Sequence, residues 1–260
     1  MHFVVGHPRS GTHLLADLLN AGGSKIAMHE AFVEQSPDES FIALATDYYE
    51  GRIDADTVKA ALAGYPVLAA LKIEVNWKNT WILPALLELY PQARVLHLAR
   101  DPRRNVIACH NMGYYGRIEP HPSFASLQRW LQAMPSIRRP DWESLAMFGR
   151  NCAFWAETHR LILAFRNRLG ERYATLRLED IDGPASTTRI FDFFEVDRPP
   201  DAAIEQVLAN TSNPQRQVKE LVKARQGDVL LPAFEECPPE LQDELRLICA
   251  PVAAQLGYEL

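Results

Sequence analysis

"GHPRSGTHLL", residues 6–15, is the stretch on which the fold turns. It follows a short apolar run, "HFVVG" (2–6), which reads as a buried strand. It runs into "THLLADLLNA" (12–21), where Leu14, Leu15, Leu18 and Leu19 fall on one face of a helix. Gly6 and Gly11 have the spacing of a phosphate-cradling turn, G-x-x-x-x-G-K-[ST]. Such a turn aims several backbone N–H groups at one point, and the helix dipole adds partial positive charge there. Thr12 stands where that motif has its lysine, and His13 where it has its magnesium-binding hydroxyl. The cation lies instead at Arg9, inside the turn, where a planar guanidinium suits phosphate or sulfate oxygens.

Outward from the loop, short apolar runs alternate with helical patterns. "SKIAM" (24–28), "VLAALKI" (67–73), "ARVLHLA" (93–99) and "YATLRLE" (173–179) read as further strands. "TWILPALLELY" (80–90) and the stretches 152–170 and 238–257 read as helices, with Pro251 expected to kink or stop the last. The alternation predicts an α/β fold: one domain over 1–260, with a central parallel sheet of about five strands flanked by helices, P-loop NTPase-like. Ligands of such sheets sit beyond the carboxyl ends of the strands. The loops after Val5, Met28, Ile73 and Ala99 should therefore converge on one crevice. Residues 111–147 differ: prolines, aromatics and basic residues crowd there, which reads as an irregular insertion or lid.

Composition narrows the function classes. A net charge of −6 argues against a nucleic-acid surface, so any anion site must be local. Cys109, Cys152, Cys237 and Cys249 lack C-x-x-C spacing and fit reduced thiols, and no His/Cys/Asp/Glu spacing supports a metal site. No apolar run is long enough for a membrane span, and a strand read from His2 leaves no room for a leader. A cytoplasmic enzyme acting without membrane or nucleic-acid partners is the expectation; the oligomeric state is not legible.

"GHPRSGTHLL" resembles the 5′-phosphosulfate loop of sulfotransferases that use 3′-phosphoadenosine 5′-phosphosulfate (PAPS), usually Pro-[Arg/Lys]-Ser-Gly-Thr-Thr. The first half is closest in pattern to tyrosylprotein and bacterial members. The resemblance implies that Pro8, Arg9, Ser10, Gly11, Thr12 and His13 hold the donor, with no metal. His13 replaces the family's second threonine. "ARVLHLARDPRRNVIACHNMG" (93–113) is similar to the family's 3′-phosphate segment, and Arg100 matches the arginine on that phosphate. The usual serine eight residues later is Ala108, so that either Asn105 or Cys109 substitutes or the 3′-phosphate is held less tightly. "VKARQGDV" (222–229) resembles a degraded Arg-Lys-Gly-x-x-Gly-Asp-Trp element, placing Lys223 near the same phosphate.

The implied reaction is in-line transfer of a sulfuryl group from PAPS to a hydroxyl, or less readily an amine, of a small-molecule acceptor. Adenosine 3′,5′-bisphosphate leaves. Positioning, positive charge and a base for the acceptor proton are what a protein must supply. Glu30, in "AMHEAF" (27–32), falls where tyrosylprotein sulfotransferases have their catalytic glutamate. Its neighbour His29 would point the other way in an extended segment. In "ALKIEVNW" (70–77), Lys72 resembles the family lysine that reaches the transferring group, and Glu74 lies where cytosolic members place a histidine. Glu30 is the preferred base and Glu74 the second. His97 reads as a hydrogen-bonded core residue, while His110, His121, Tyr114, Tyr115, Phe124 and Trp130 are candidates to line an acceptor pocket. The competing readings are a kinase or NTPase of the same fold and a non-catalytic nucleotide-binding relative. The missing lysine at Thr12 and the strand ending in Arg100 rather than aspartate weigh against the kinase.

Overall fold

Strand β1 (His2–Gly6) is apolar on both faces because both faces are covered. Phe3 and Val5 enter one core with Trp77, Trp81 and Phe154, while Val4 enters the other with Leu15, Leu18 and Leu19. The structure, a computed structural model, describes residues 1–31, 38–63, 71–116, 137–210 and 230–260. After β1 come α1 (Thr12–Leu19), β2 (Ala27–His29), α2 (Asp38–Tyr49), α3 (Ala55–Ala63) and β3 (Ile73–Val75). A 3₁₀ helix (Trp77–Ile82) leads into α4 (Leu83–Leu89), β4 (Val95–Ala99) and α5 (Pro102–Asn111). Then follow α6 (Met147–Leu163), β5 (Tyr173–Arg177), α7 (Pro184–Phe194), α8 (Asp201–Asn210) and α9 (Pro239–Gln255).

The five strands form one parallel sheet in the order β2-β3-β1-β4-β5, so this is a single α/β domain with helices on both faces. The chain leaves β1 toward β2 on one side and leaves β4 toward β5 on the other. Connections diverge at the carboxyl ends of β1 and β4, which is where an open α/β sheet leaves a crevice. Helices α5, α6 and α9 close a third core around Trp155, Phe148 and Leu245.

Several boundaries differ from the sequence pattern: β2 is Ala27–His29 where 24–28 is read, and α6 is Met147–Leu163 where 152–170 is read. β3 begins at Ile73 instead of ending there, and residues 64–70 lie outside the described residues. Everything after Ile73 is therefore carried further along the sheet than the pattern suggests. The start of the 80–90 segment is a 3₁₀ turn, and Pro251 sits inside α9 without ending it. The carbonyl left unbonded by Pro251 belongs to Leu247, which is 81% exposed, so it lies on the solvent side of the helix. Of the insertion read at 111–147, residues 117–136 lie outside the described residues, while Trp142 packs edge-on against Tyr115.

Candidate active site

The turn from His7 to Gly11 needs glycine at both ends. A Cβ on Gly6 would lie 2.3 Å from the Leu98 carbonyl oxygen of the neighbouring strand. Gly11 has φ 97°, and its Cβ would lie 2.6 Å from Leu178. Ser10 turns inward and donates its hydroxyl to the His7 carbonyl at 2.6 Å. Arg9 adopts φ 65°, a left-handed conformation that costs a non-glycine residue roughly 1–3 kcal/mol and needs bracing.

The bracing comes from below. The Pro8 carbonyl accepts from His7 Nδ1 at 2.9 Å and from Asn105 Nδ2 at 3.1 Å. The Arg9 carbonyl accepts from Arg100 Nη1 at 2.8 Å. In a trans peptide the N–H points opposite to the C=O, so the bonds to the Pro8 carbonyl turn the Arg9 N–H the other way, while the Ser10 N–H bonds back to the His7 carbonyl at 3.2 Å. The Arg9 N–H together with the start of α1 is an arrangement that suits an anion. Arg9 Nε is buried and has no hydrogen-bond partner among the described residues, so the cation in the turn keeps a donor to offer.

Arg100 reaches this turn from the end of β4. Burial lowers its pKa; the Glu179 carboxylate offsets part of that, and Arg9 and Arg104 push it further down. Three guanidinium groups thus share one field, an arrangement that favours an anion between them. Asp101 caps α5 by accepting from the Arg103 N–H at 2.8 Å and also grips the Arg103 guanidinium.

The ends of β2 and β3 supply the other wall. Glu30 donates its N–H to the Val75 carbonyl at 3.0 Å and has φ 53°, so the chain turns where the strand stops. Its carboxylate meets Lys78 Nζ at 2.8 Å. The lysine side chain is 2% exposed and the glutamate 21%, so the carboxylate is the member that reaches solvent. Lys78 is fixed in turn by Asn76, whose Oδ1 accepts its backbone N–H at 2.9 Å. Glu74 is fully buried one step back in β3 and accepts from Asn76 Nδ2 at 3.2 Å and from Asn79 Nδ2. On the loop side, His29 Nε2 and Thr12 Oγ1 share a hydrogen bond of 2.9 Å, and the His29 ring stacks on His13 at 3.6 Å. Burial, with help from His13 and Lys78, lowers the His29 pKa to about 3, so it is neutral at pH 7.

The turn residues 8–13, Glu30 and Arg100 therefore converge on one crevice. Lys72 does not join them. It is exposed and precedes β3, whose Ile73 pairs with His2, so it sits at the amino end of the sheet, roughly 13 Å of strand from the turn. Lys78, six residues later, occupies the carboxyl end. Asn105 is also displaced from its expected place: it is fully buried beneath the turn and braces Pro8 instead of facing the crevice. Cys109, one helical turn on, lies on the same face, where burial raises its thiol pKa to about 12. Glu74 is enclosed, and Lys223, His121, Phe124 and Trp130 lie outside the described residues. Among the described residues no cluster of histidine, cysteine or carboxylate side chains could hold a metal ion, and no helix is long and apolar enough to cross a membrane.

The family model described as "Sulfotransferase family" matches residues 2–145, more than half of the chain and the part that carries the turn, Glu30, Lys78 and Arg100. The chain belongs to the sulfotransferase family. That membership makes it a transferase whose reaction class is sulfuryl transfer. Among solved structures it is similar to the sulfotransferase domain from the curacin biosynthetic pathway, at 16% identity and a TM-score of 0.55 over 100% of this chain and 98% of that one, a likeness of fold. A sulfotransferase from Alicyclobacillus acidocaldarius is similar at 17% identity over 100% of this chain and 96% of that one, with a TM-score of 0.47. No curated protein matches the sequence.

Proposed function

We propose that this chain transfers a sulfuryl group from PAPS to a hydroxyl of a small-molecule acceptor. The observation that carries this reading is the meeting of the two cationic anchors: Arg100, from β4, holds the Arg9 carbonyl at 2.8 Å inside the turn after β1. The free buried Nε of Arg9, the Arg9 N–H and the start of α1 fit a phosphosulfate. Arg100 and Arg104 stand nearby to take a second phosphate. Bound there, the donor supplies the sulfuryl group and a phosphate leaving group, so that a new S–O bond to the acceptor forms as the S–O bond to phosphate breaks.

Glu30 acts as the base in this reading. Of the two carboxylates offered by the sequence, it alone reaches the crevice; Glu74 is enclosed and hydrogen-bonded to two asparagines. His29 is the nearest competitor, but a pKa held to about 3 makes it a poor proton acceptor. When Glu30 takes the acceptor proton its charge is lost, and the Lys78 ammonium, 2.8 Å away, is left to stabilise charge on the departing oxygen.

The test is a transfer assay with sulfur-labelled PAPS and a panel of phenols and alcohols, run without added metal. Labelled product from the wild type and its loss in Arg9→Ala support the reading. Binding of the donor with no product across the panel would favour a non-catalytic relative, and preference for ATP with magnesium would favour a kinase.

A further inference from the structure

The peptide that joins Arg100 to Asp101, between β4 and α5, is held from both sides by side chains with no part in the chemistry above. Its carbonyl accepts from Trp155 Nε1 on α6 at 3.2 Å, and its N–H donates to Glu179 Oε1 at 3.0 Å. In a trans peptide these two groups point opposite ways, so the two bonds together fix the rotation of the peptide plane. The plane links Arg100 to Asp101, the cap of α5. It therefore sets the Arg100 guanidinium relative to the helix that carries Arg103 and Arg104.

Glu179 lies in the 3₁₀ turn Leu178–Asp180 that follows β5. The residue is exposed, yet both carboxylate oxygens are engaged, because Oε2 accepts from the Tyr258 hydroxyl at 2.9 Å. Tyr258 follows α9 and is itself buried. Its N–H donates to the Ala253 carbonyl at 3.0 Å, Arg177 Nη1 donates to the neighbouring Gly257 carbonyl at 2.9 Å, and the Arg177 guanidinium lies over its ring. Burial and then the Glu179 charge raise the Tyr258 pKa, so its hydroxyl stays a donor. A glutamate pinned at one oxygen presents the other in one place, whereas an unpinned exposed glutamate samples several rotamers. The Glu179 charge also acts on Arg100, where it offsets part of the effect of burial. By charge alone Glu179 opposes a phosphate bound there. Removing the charge should tighten anion binding, and losing the clamp should loosen it, so the two roles predict opposite signs.

We propose that Glu179 is a positioning residue for the second phosphate of the donor: with Trp155 it clamps the Arg100–Asp101 peptide, and Tyr258 holds Glu179 in place. The consequence for that phosphate rests on the reading of this crevice as the donor site; the clamp does not.

Hydrogen exchange and calorimetry on the full chain test it. Without nucleotide, the Asp101 amide should exchange at least about fivefold faster in Glu179→Leu than in the wild type. In Glu179→Gln it should stay within about twofold, because the amide oxygen still accepts and the N–H₂ can face the Tyr258 hydroxyl oxygen. In titrations with adenosine 3′,5′-bisphosphate and adenosine 5′-monophosphate, the preference for the bisphosphate should fall about fivefold in Glu179→Leu and about threefold in Tyr258→Phe, and be kept in Glu179→Gln. Monophosphate affinity should stay within about threefold in each, since His7 and Asn105 still brace the turn. Should Glu179→Leu not fold, Tyr258→Phe, which deletes one hydroxyl, decides. A folded Glu179→Leu, or in its absence Tyr258→Phe, with an unchanged or stronger bisphosphate preference overturns the proposal, as does a Glu179→Gln as impaired as Glu179→Leu. A wild type with a protected Asp101 amide and no bisphosphate preference keeps the clamp and removes the donor assignment instead.

Discussion

The two walls of the crevice are built from different material. On the β1–β4 side the wall is backbone: the Arg9 N–H set opposite the braced Pro8 carbonyl, a left-handed Arg9, and glycines where a Cβ would collide. On the β2–β3 side it is side chain: the Glu30–Lys78 pair, held by Asn76 and set in front of the buried Glu74. A backbone site tolerates few residue types at each position, so it leaves a motif. A side-chain site needs only the right strand ends, and many sequences supply those.

Substitutions that strike one wall and spare the other sharpen this contrast. Arg9→Ala removes charge from the turn and should lower kcat/KM by about 10³, with weaker bisphosphate binding, read by steady-state kinetics and calorimetry. Glu30→Gln should lower kcat by about 10² or more yet leave bisphosphate affinity within about twofold. If both fall together, the two walls do not act separately. Glu74→Gln keeps one oxygen acceptor but turns an amide N–H₂ toward one of the two asparagine donors, and should cost about 1–3 kcal/mol in a denaturant melt, while kcat of the folded protein stays within about twofold. A dead but stable Glu74→Gln would move the base from Glu30 to Glu74. Lys72→Ala should change turnover by less than about twofold, since that lysine sits at the far end of the sheet.

The buried histidines add a pH test. His7 and His97 have folded pKa values of about 3, against 6.5 when unfolded. Between those values the unfolded chain binds more protons, so stability falls as pH drops from 6.5 toward 3. Each group contributes up to about 1.4 kcal/mol per pH unit. Melting curves from pH 7.5 to 4.5 should show Tm constant at first and then declining below about pH 6.5. A Tm that rises on acidification would mean that these imidazoles are charged in the fold.

How much was legible follows the same division. The parallel sheet, the turn after β1 and the arginine after β4 could be read because apolar runs and glycine spacing are imposed by burial and backbone geometry. Lys78 could not, because reading β3 to end at Ile73 put Lys72 at the site, whereas the strand starts there and the lysine that reaches the crevice comes five residues after Ile73. His29 was set aside on strict alternation, but the left-handed turn at Glu30 breaks alternation and brings both side chains to the crevice. The resemblance offers Asn105 and Cys109 alike as phosphate ligands, and their spacing of four puts both on one face of α5, which the fold turns inward. His97 is the hydrogen-bonded core residue the sequence suggests, but its partners Tyr173 on β5 and His159 on α6 lie far from it in sequence, and only the fold brings them together.

The most direct test of the donor assignment is a calorimetric titration of the wild-type chain with adenosine 3′,5′-bisphosphate in the absence of magnesium, alongside adenosine 5′-monophosphate and ATP. Saturable binding that weakens by at least about tenfold without the 3′-phosphate, and again in Arg100→Ala, is the expected result. Equal affinity for the bisphosphate and the monophosphate, or binding of ATP alone once magnesium is added, would contradict it.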